Sequence, residues 1–186
     1  TAFVHASAIR GLARRSKVPC HIHNREQIKD HLLNSIKKEL PPKKLKHEGV
    51  VYRAIGLVPD DFDYKDRVVD IYIGQIGGYY DPQKKHFVMA DWSPAIMQTT
   101  VAVHELTHAL QDQHYGLEHF IDATKYDGDV LMARTALIEG DATAVMMDYN
   151  FSLMGQSLLA ERENIQSLLM QNVLGASMTA SLQNVP

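Results

Sequence analysis

His104 and His108 stand four residues apart in the stretch VHELTH, with Glu105 directly after the first. On an α-helix that spacing puts both imidazoles on one face, one turn apart, where they can aim at a single metal ion. Glu105 can then reach a water on that ion without itself being a ligand. A zinc ion held this way lowers the pKa of its water toward ~7, and a neighbouring carboxylate serves as general base. The flanking Val101, Ala102, Val103, Leu106, Ala109 and Leu110 predict a largely buried helix. Two histidines and a glutamate in such a helix are costly unless something compensates them.

A zinc ion that does chemistry usually takes three protein ligands and leaves one position for water. Two residues compete for the third place. His114 has the spacing of HExxHxxGxxH, but that arrangement needs a glycine turn, and Gln111 occupies the glycine position. On an uninterrupted helix His114 lies about 9 Å further along the axis than His108 and well round the cylinder. Glu139, in ALIEGDAT on the next long helical stretch, is the better placed: it is acidic among small and apolar neighbours. Gly140 beside it costs the helix about 1 kcal/mol relative to Ala, and is expected to let the two helices approach closely. His104, His108 and Glu139 are thus the expected ligands.

Composition narrows the alternatives. The chain has 186 residues with 19 basic and 22 acidic side chains, a formal charge of −3, which argues against a nucleic-acid binder. One cysteine, Cys20, excludes an internal disulfide framework and a multi-cysteine zinc site. No apolar run is long enough to span a bilayer. Ten histidines stand out, five of them (His86, His104, His108, His114, His119) close together. The chain begins at Thr1 rather than Met and ends as a new segment opens at 181–186. A processed or excised piece of a longer chain is therefore expected, lying outside the cytoplasm if a signal segment preceded it.

The elements that must position these residues are mostly helices. Asn24 to Gln27 has the form of a capping box, followed at helical spacing by Ile28, Leu32, Leu33, Ile36 and Leu40, and Pro41-Pro42 ends the run. Further helices are predicted over 43–55, with Gly56 at the C-cap, and after Asp60-Asp61, closed by Gly77-Gly78. GYYD (78–81) and HFVMAD (86–91) flank a four-residue loop and predict a β-hairpin, the one strand pair expected. Long helices over 94–114 and 127–149 follow, then a last one over 156–174. The fold class is α+β, mainly α, with a helical N-terminal part over 1–66 and a site-bearing core over 67–186.

With HExxH on one helix and Glu139 on a following one, the sequence resembles a gluzincin metallopeptidase. More closely, residues 77–150 resemble a group of bacterial proteins in which a GYYDP-type hairpin, HELTHALQDQH and EGDAT recur in that order. The resemblance implies a zincin-like fold, Zn²⁺ as cofactor, His104, His108 and Glu139 as ligands, and Glu105 as base and proton shuttle. It implies hydrolysis of a peptide or protein substrate. A zinc-bound binding or scaffold module with the same fold but no activity is the alternative. It further implies that the hairpin strand His86–Ala90 is the edge on which substrate backbone adds. Many gluzincins carry an Asp four residues after the ligand Glu to orient the first histidine; here that position is Thr143. Asp141 and Asp112 are both candidates for the missing acceptor. Tyr149, Tyr115, His119, Tyr126 and Arg134 are candidates for stabilising an oxyanion, with core packing the plain alternative for the aromatics. Cys20 is a candidate latency device if its thiolate were to reach the open zinc position.

Overall fold

The computed structural model describes residues 1–39, 44–122 and 125–158. In chain order these form α1 (Ala2–Arg10), β1 (Cys20–His23), α2 (Arg25–Glu39), α3 (Lys44–Ala54), α4 (Tyr64–Gln75), β2 (Gly78–Asp81), β3 (His86–Ala90), α5 (Ala95–Tyr115), the single turn α6 (Leu117–Phe120) and α7 (Gly128–Ser152). The class is α+β and mainly helical, with one small sheet. Among the described residues no helix is long and apolar enough to cross a membrane. The helix expected over 156–174 lies outside the described residues apart from its first three, which are not helical.

Local signals account for several boundaries. The capping box before α2 is reciprocal: Asn24 Oδ1 accepts from the Gln27 N–H at 3.0 Å, and Gln27 Oε1 accepts from the Asn24 N–H at 2.9 Å. Gly56 (φ 74°) ends α3 in the left-handed region that glycine enters without a steric penalty. Asp127 caps α7 by accepting from the Val130 N–H.

Two elements escaped the sequence. The helix α1 has neither an acidic first turn nor a side-chain cap, so it carried no start signal. The strand β1 is only four residues long and mostly exposed, too short to show an alternating pattern. Yet β1 pairs in parallel with β3 while β2 pairs antiparallel with it, giving the order β1-β3-β2. This corrects the expectation that His86–Ala90 is a free edge: it is the central strand, and β2 is the edge beside α5. The pairing leaves the main-chain groups of Gly78 and Tyr80 facing away from β3, since the Ala90 N–H donates to Gly77 O and the hydrogen-bonded pairs alternate from there.

The centre of the fold is α5, and its residues divide by direction at about 100° per residue. Val103 and Leu110 pack with Ala6 of α1 and Val145 and Tyr149 of α7. Leu106 and Ala109 pack with Tyr80, Phe87 and Met89 of the sheet. α7 runs antiparallel to α5: Thr100 Oγ1 donates to Asn150 Oδ1 near one end, and Gln111 Nε2 to Ile138 O near the other. The expected division after residue 66 is therefore crossed twice, by α1 on α5 and α7 and by β1 on β3.

Close packing around α5 requires a glycine at Gly78 and not at Gly140. A Cβ on Gly78 would come within 2.8 Å of Val88 O and 3.1 Å of Val101 Cγ1, so strand, sheet and α5 meet there without room for a side chain. A Cβ on Gly140 meets nothing within 4 Å. The close helix approach expected at Gly140 is thus not found.

Asp81 accepts from the Gln83 and Lys84 N–H groups, shaping the hairpin loop as an Asx turn, and Lys85 closes it at φ 54°. Asp112 then ties that hairpin to α5 and α6. Its carboxylate accepts from Tyr80 Oη at 2.7 Å, Lys85 Nζ at 2.8 Å and the Leu117 N–H at 3.0 Å, with the side chain 1% exposed. Replacing it leaves a buried hydroxyl and a buried N–H unpaired. Asp112→Ala is expected to cost about 2–4 kcal/mol, read as a lower urea midpoint at unchanged slope. An unchanged midpoint would show that the hairpin is held by other contacts.

Candidate metal centre

His104 and His108 project from α5 toward α7, where Glu139 meets them. The Nε2 atoms of the two histidines are 3.1 Å apart, and Glu139 Oε2 lies 3.3 Å from that of His104 and 3.5 Å from that of His108. A tetrahedral ion with bonds of ~2.0–2.1 Å has donor–donor edges of about 3.3–3.4 Å. Three donors of the right chemistry therefore stand close to three corners of such a tetrahedron. Among the described residues this is the one group of three or more His, Cys, Asp or Glu side chains whose ligand atoms converge so closely. The histidines are sunk into the interhelical contact, their side chains 18% and 10% exposed, while Glu139 is 54% exposed and forms the solvent side.

Charge and burial shape the group. Hydrogen bonds from His104 and then His108 hold the Glu139 carboxyl far below the usual carboxylate range, against the opposing effect of burial. Burial pulls the His108 imidazole down, but its bond to Glu139 and the charge of Glu105 outweigh it, and the net shift is upward. Glu105 is pushed up by burial, with His108, His104 and the Tyr80 N–H opposing. Its Oε2 accepts from that N–H at 2.9 Å, so the edge strand β2 holds the carboxylate beside the three donors and outside their cluster.

Comparison with protein-family models, with curated proteins and with solved structures found no match to this chain. What the site can do rests on its own geometry.

The acceptor behind His108 is a residue that sequence reasoning passed over. Gln111 Oε1 lies 2.9 Å from His108 Nδ1, and Gln111 Nε2 donates to Ile138 O at 3.0 Å and to Asp141 Oδ2 at 2.8 Å. Neither expected aspartate touches a histidine: Asp141 sits one step behind Gln111, and Asp112 serves the hairpin. The signal was present, because Gln111 lies three residues after His108 on the same helix, where a side chain can reach back one turn.

His104 Nδ1 is buried without a partner. Thr143 stands four residues beyond Glu139 on α7, and because α7 runs antiparallel to α5 that turn lies on the His104 side rather than the His108 side.

Other sequence candidates fall elsewhere. His114 stands outside the converging group; α5 continues through it, and its Nε2 lies 2.8 Å from Ala13 O, pinning the chain after α1. Tyr149 is buried in the core with Ala6, Val103, Leu110 and Val145. The Arg134 guanidinium lies 3.7 Å from the Tyr126 ring centroid and donates to Phe120 O, a structural cluster at the start of α7. Tyr115 and His119 are exposed around the turn into α6. His86 sits on the other sheet face, its ring 4.9 Å from that of His21. Cys20 is exposed on the far edge strand, and its sulfur is not part of the converging group.

Thr143→Asp should supply the acceptor that His104 lacks. It is expected to tighten binding of a divalent ion by about tenfold, the low end of what outer partners of ligating histidines contribute. Competition against a chelator of known affinity measures this. A weaker or unchanged affinity would show that position 143 does not face His104.

Proposed function

We propose that this chain is a zinc-dependent peptidase of the gluzincin type, with His104, His108 and Glu139 holding Zn²⁺ and Glu105 as general base. The observation that carries this reading is the convergence of two imidazole Nε2 atoms and one carboxylate oxygen at 3.1–3.5 Å, with the adjacent Glu105 kept out of the group. The donor set of two histidines and one glutamate is one that catalytic zinc uses, leaving a position for water. Zinc bound there would acidify that water and polarise the scissile carbonyl.

The chain's own residues supply the rest. Glu105 takes the proton from the attacking water and returns it to the departing amine, a role that suits a carboxyl raised above its ordinary range by burial. The Tyr80 N–H restrains that carboxylate, and the Tyr80 hydroxyl on Asp112 restrains Tyr80 in turn. Substrate backbone has an edge to add to in β2 at the main-chain groups of Gly78 and the carbonyl of Tyr80, which face away from β3, the Tyr80 N–H being taken by Glu105. Beside β2 lies a cavity of about 750 Å³, lined by Ile28, His31, Leu32, Tyr79, Tyr80 and Ile121 among others; it shares Tyr80 with the site, but none of His104, Glu105, His108 and Glu139 lines it.

Purified chain should carry about one zinc and hydrolyse an unstructured protein such as casein, with activity removed by a chelator and restored by zinc. Glu105→Gln should keep the zinc and lose about 10²–10⁴-fold in kcat, the usual contribution of a general base. Full activity of that variant would overturn the mechanism. Stoichiometric zinc with no hydrolysis would favour an inert zinc-bound binding module.

A further inference from the structure

Gln111 lies between α5 and α7, 3% exposed, and its amide has only one workable orientation. Its nitrogen faces two groups that accept: the Ile138 carbonyl at 3.0 Å and the Asp141 carboxylate at 2.8 Å. Turned over, the amide would set its oxygen against both acceptors and its NH2 against His108. With the nitrogen fixed on α7, Oε1 must accept from His108 Nδ1, 2.9 Å away. His108 thereby carries a fixed proton on Nδ1, and Nε2 is the nitrogen left facing the centre shared with His104 and Glu139.

The fixed point behind this chain is on the N-terminal helix. Arg10 Nε lies 2.7 Å from Asp141 Oδ1 and 2.8 Å from Oδ2, and a carboxylate paired with a guanidinium is an acceptor only. Arg10 is the last residue of α1, which Ala6 anchors against both ligand-bearing helices through Val103, Leu110, Val145 and Tyr149.

We propose that α1 is a positioning element of the metal centre: through Arg10 and Asp141 it fixes the Gln111 amide, and Gln111 fixes the tautomer in which His108 can bind a metal. This rests on the zinc reading of the site for its consequence, though the tautomer exists without metal. It assigns a role to residues 1–10, which the resemblance to gluzincins covers only loosely. The glutamine, held from two helices, serves His108 and not the first histidine, whose aspartate in the resemblance is Thr143 here.

Two measurements on the full chain test it. The first is the tautomer of His108 in metal-free protein, read from long-range ¹⁵N–¹H correlations of the imidazole. The second is zinc affinity by chelator competition at fixed pH, compared with the thermal midpoint of each variant. The wild type should show His108 protonated at Nδ1. Gln111→Met should lose that signature and bind zinc about tenfold to a hundredfold more weakly, as expected when the outer partner of a ligating histidine is removed. Asp141→Leu and Arg10→Met should weaken zinc in the same direction by less, and Arg10→Lys should restore affinity toward wild type. If Gln111→Met does not fold, Asp141→Leu and the Arg10 pair decide the matter. Folded variants with lowered midpoints but wild-type zinc affinity and an unchanged tautomer would reduce the chain to a helix tether and overturn the proposal. A wild-type chain that binds no zinc would overturn the zinc reading instead, and the His108 tautomer would then decide the role of α1 alone.

Discussion

The structure depends on the enclosure of one helix. α5 is contacted by α1 and α7 along Val103 and Leu110 and by the sheet along Leu106 and Ala109, so its polar residues have little water to turn to. A buried polar group without a partner costs on the order of 1–3 kcal/mol, and α5 carries several. Most are answered, from β2, from α7 or from within the helix itself, while His104 Nδ1 has no partner. Glu105 and Asp112 lie on one face and are met by the main chain and side chain of Tyr80. His108 and Gln111 lie on another and are met from α7. Thr107 turns back to Val103 O at 2.8 Å within the helix. The polar architecture of the molecule is the set of solutions to that one problem, and the metal-type centre is the solution for the histidine face.

This explains which parts could be read from the sequence. His104 and His108 needed only the helical repeat, which sets two side chains side by side without reference to any other element. Glu139 needed one step more, an acid out of place among apolar neighbours on the next long helix. The capping box at Asn24 and the turn at Asp81 were legible because both ends of each hydrogen bond lie within three residues. Gln111 was not, since its importance comes from Ile138 and Asp141 across the helix contact, and theirs in turn from Arg10 at the other end of the chain. Reasoning that ran along α5 saw Gln111 only as the glycine it is not.

The sheet makes the same point about strands. A hairpin is local, and 78–81 paired with 86–90 as the two runs flanking Pro82–Lys85 predict. Which of its strands lies at the edge is decided by whether a third strand joins, and β1 comes from more than 60 residues earlier in the chain, by the numbering of Cys20 and His86. Four mostly exposed residues bear almost no pattern, so their pairing is set by Phe87 and Asp91 bonding to the main chain around them rather than by their own composition: the Phe87 N–H donates to Pro19 O and the Asp91 N–H to His23 O. Placing β3 in the centre moves the open main-chain groups to β2, on the strand that already holds Glu105. The edge strand and Glu105 thus share Tyr80.

The two histidines, equivalent in the motif, are unequal in the fold. His108 is nearly buried, its far nitrogen bonded to a glutamine with a single allowed orientation, so its ring and tautomer are set before any ion arrives. His104 has a buried Nδ1 with no acceptor, so nothing on that side selects its tautomer. A pre-set ligand loses little freedom on binding, whereas an unset one must be ordered by the ion itself, and that ordering subtracts from affinity. Glu139, exposed and ionised, is the most adjustable of the three. For an ion at this centre the order of rigidity runs His108, His104, Glu139, from the helix contact outward to solvent. Under the zinc reading the anchor would be the residue tied through Gln111 and Asp141 to α1, and the solvent-facing carboxylate would be the ligand freest to adjust.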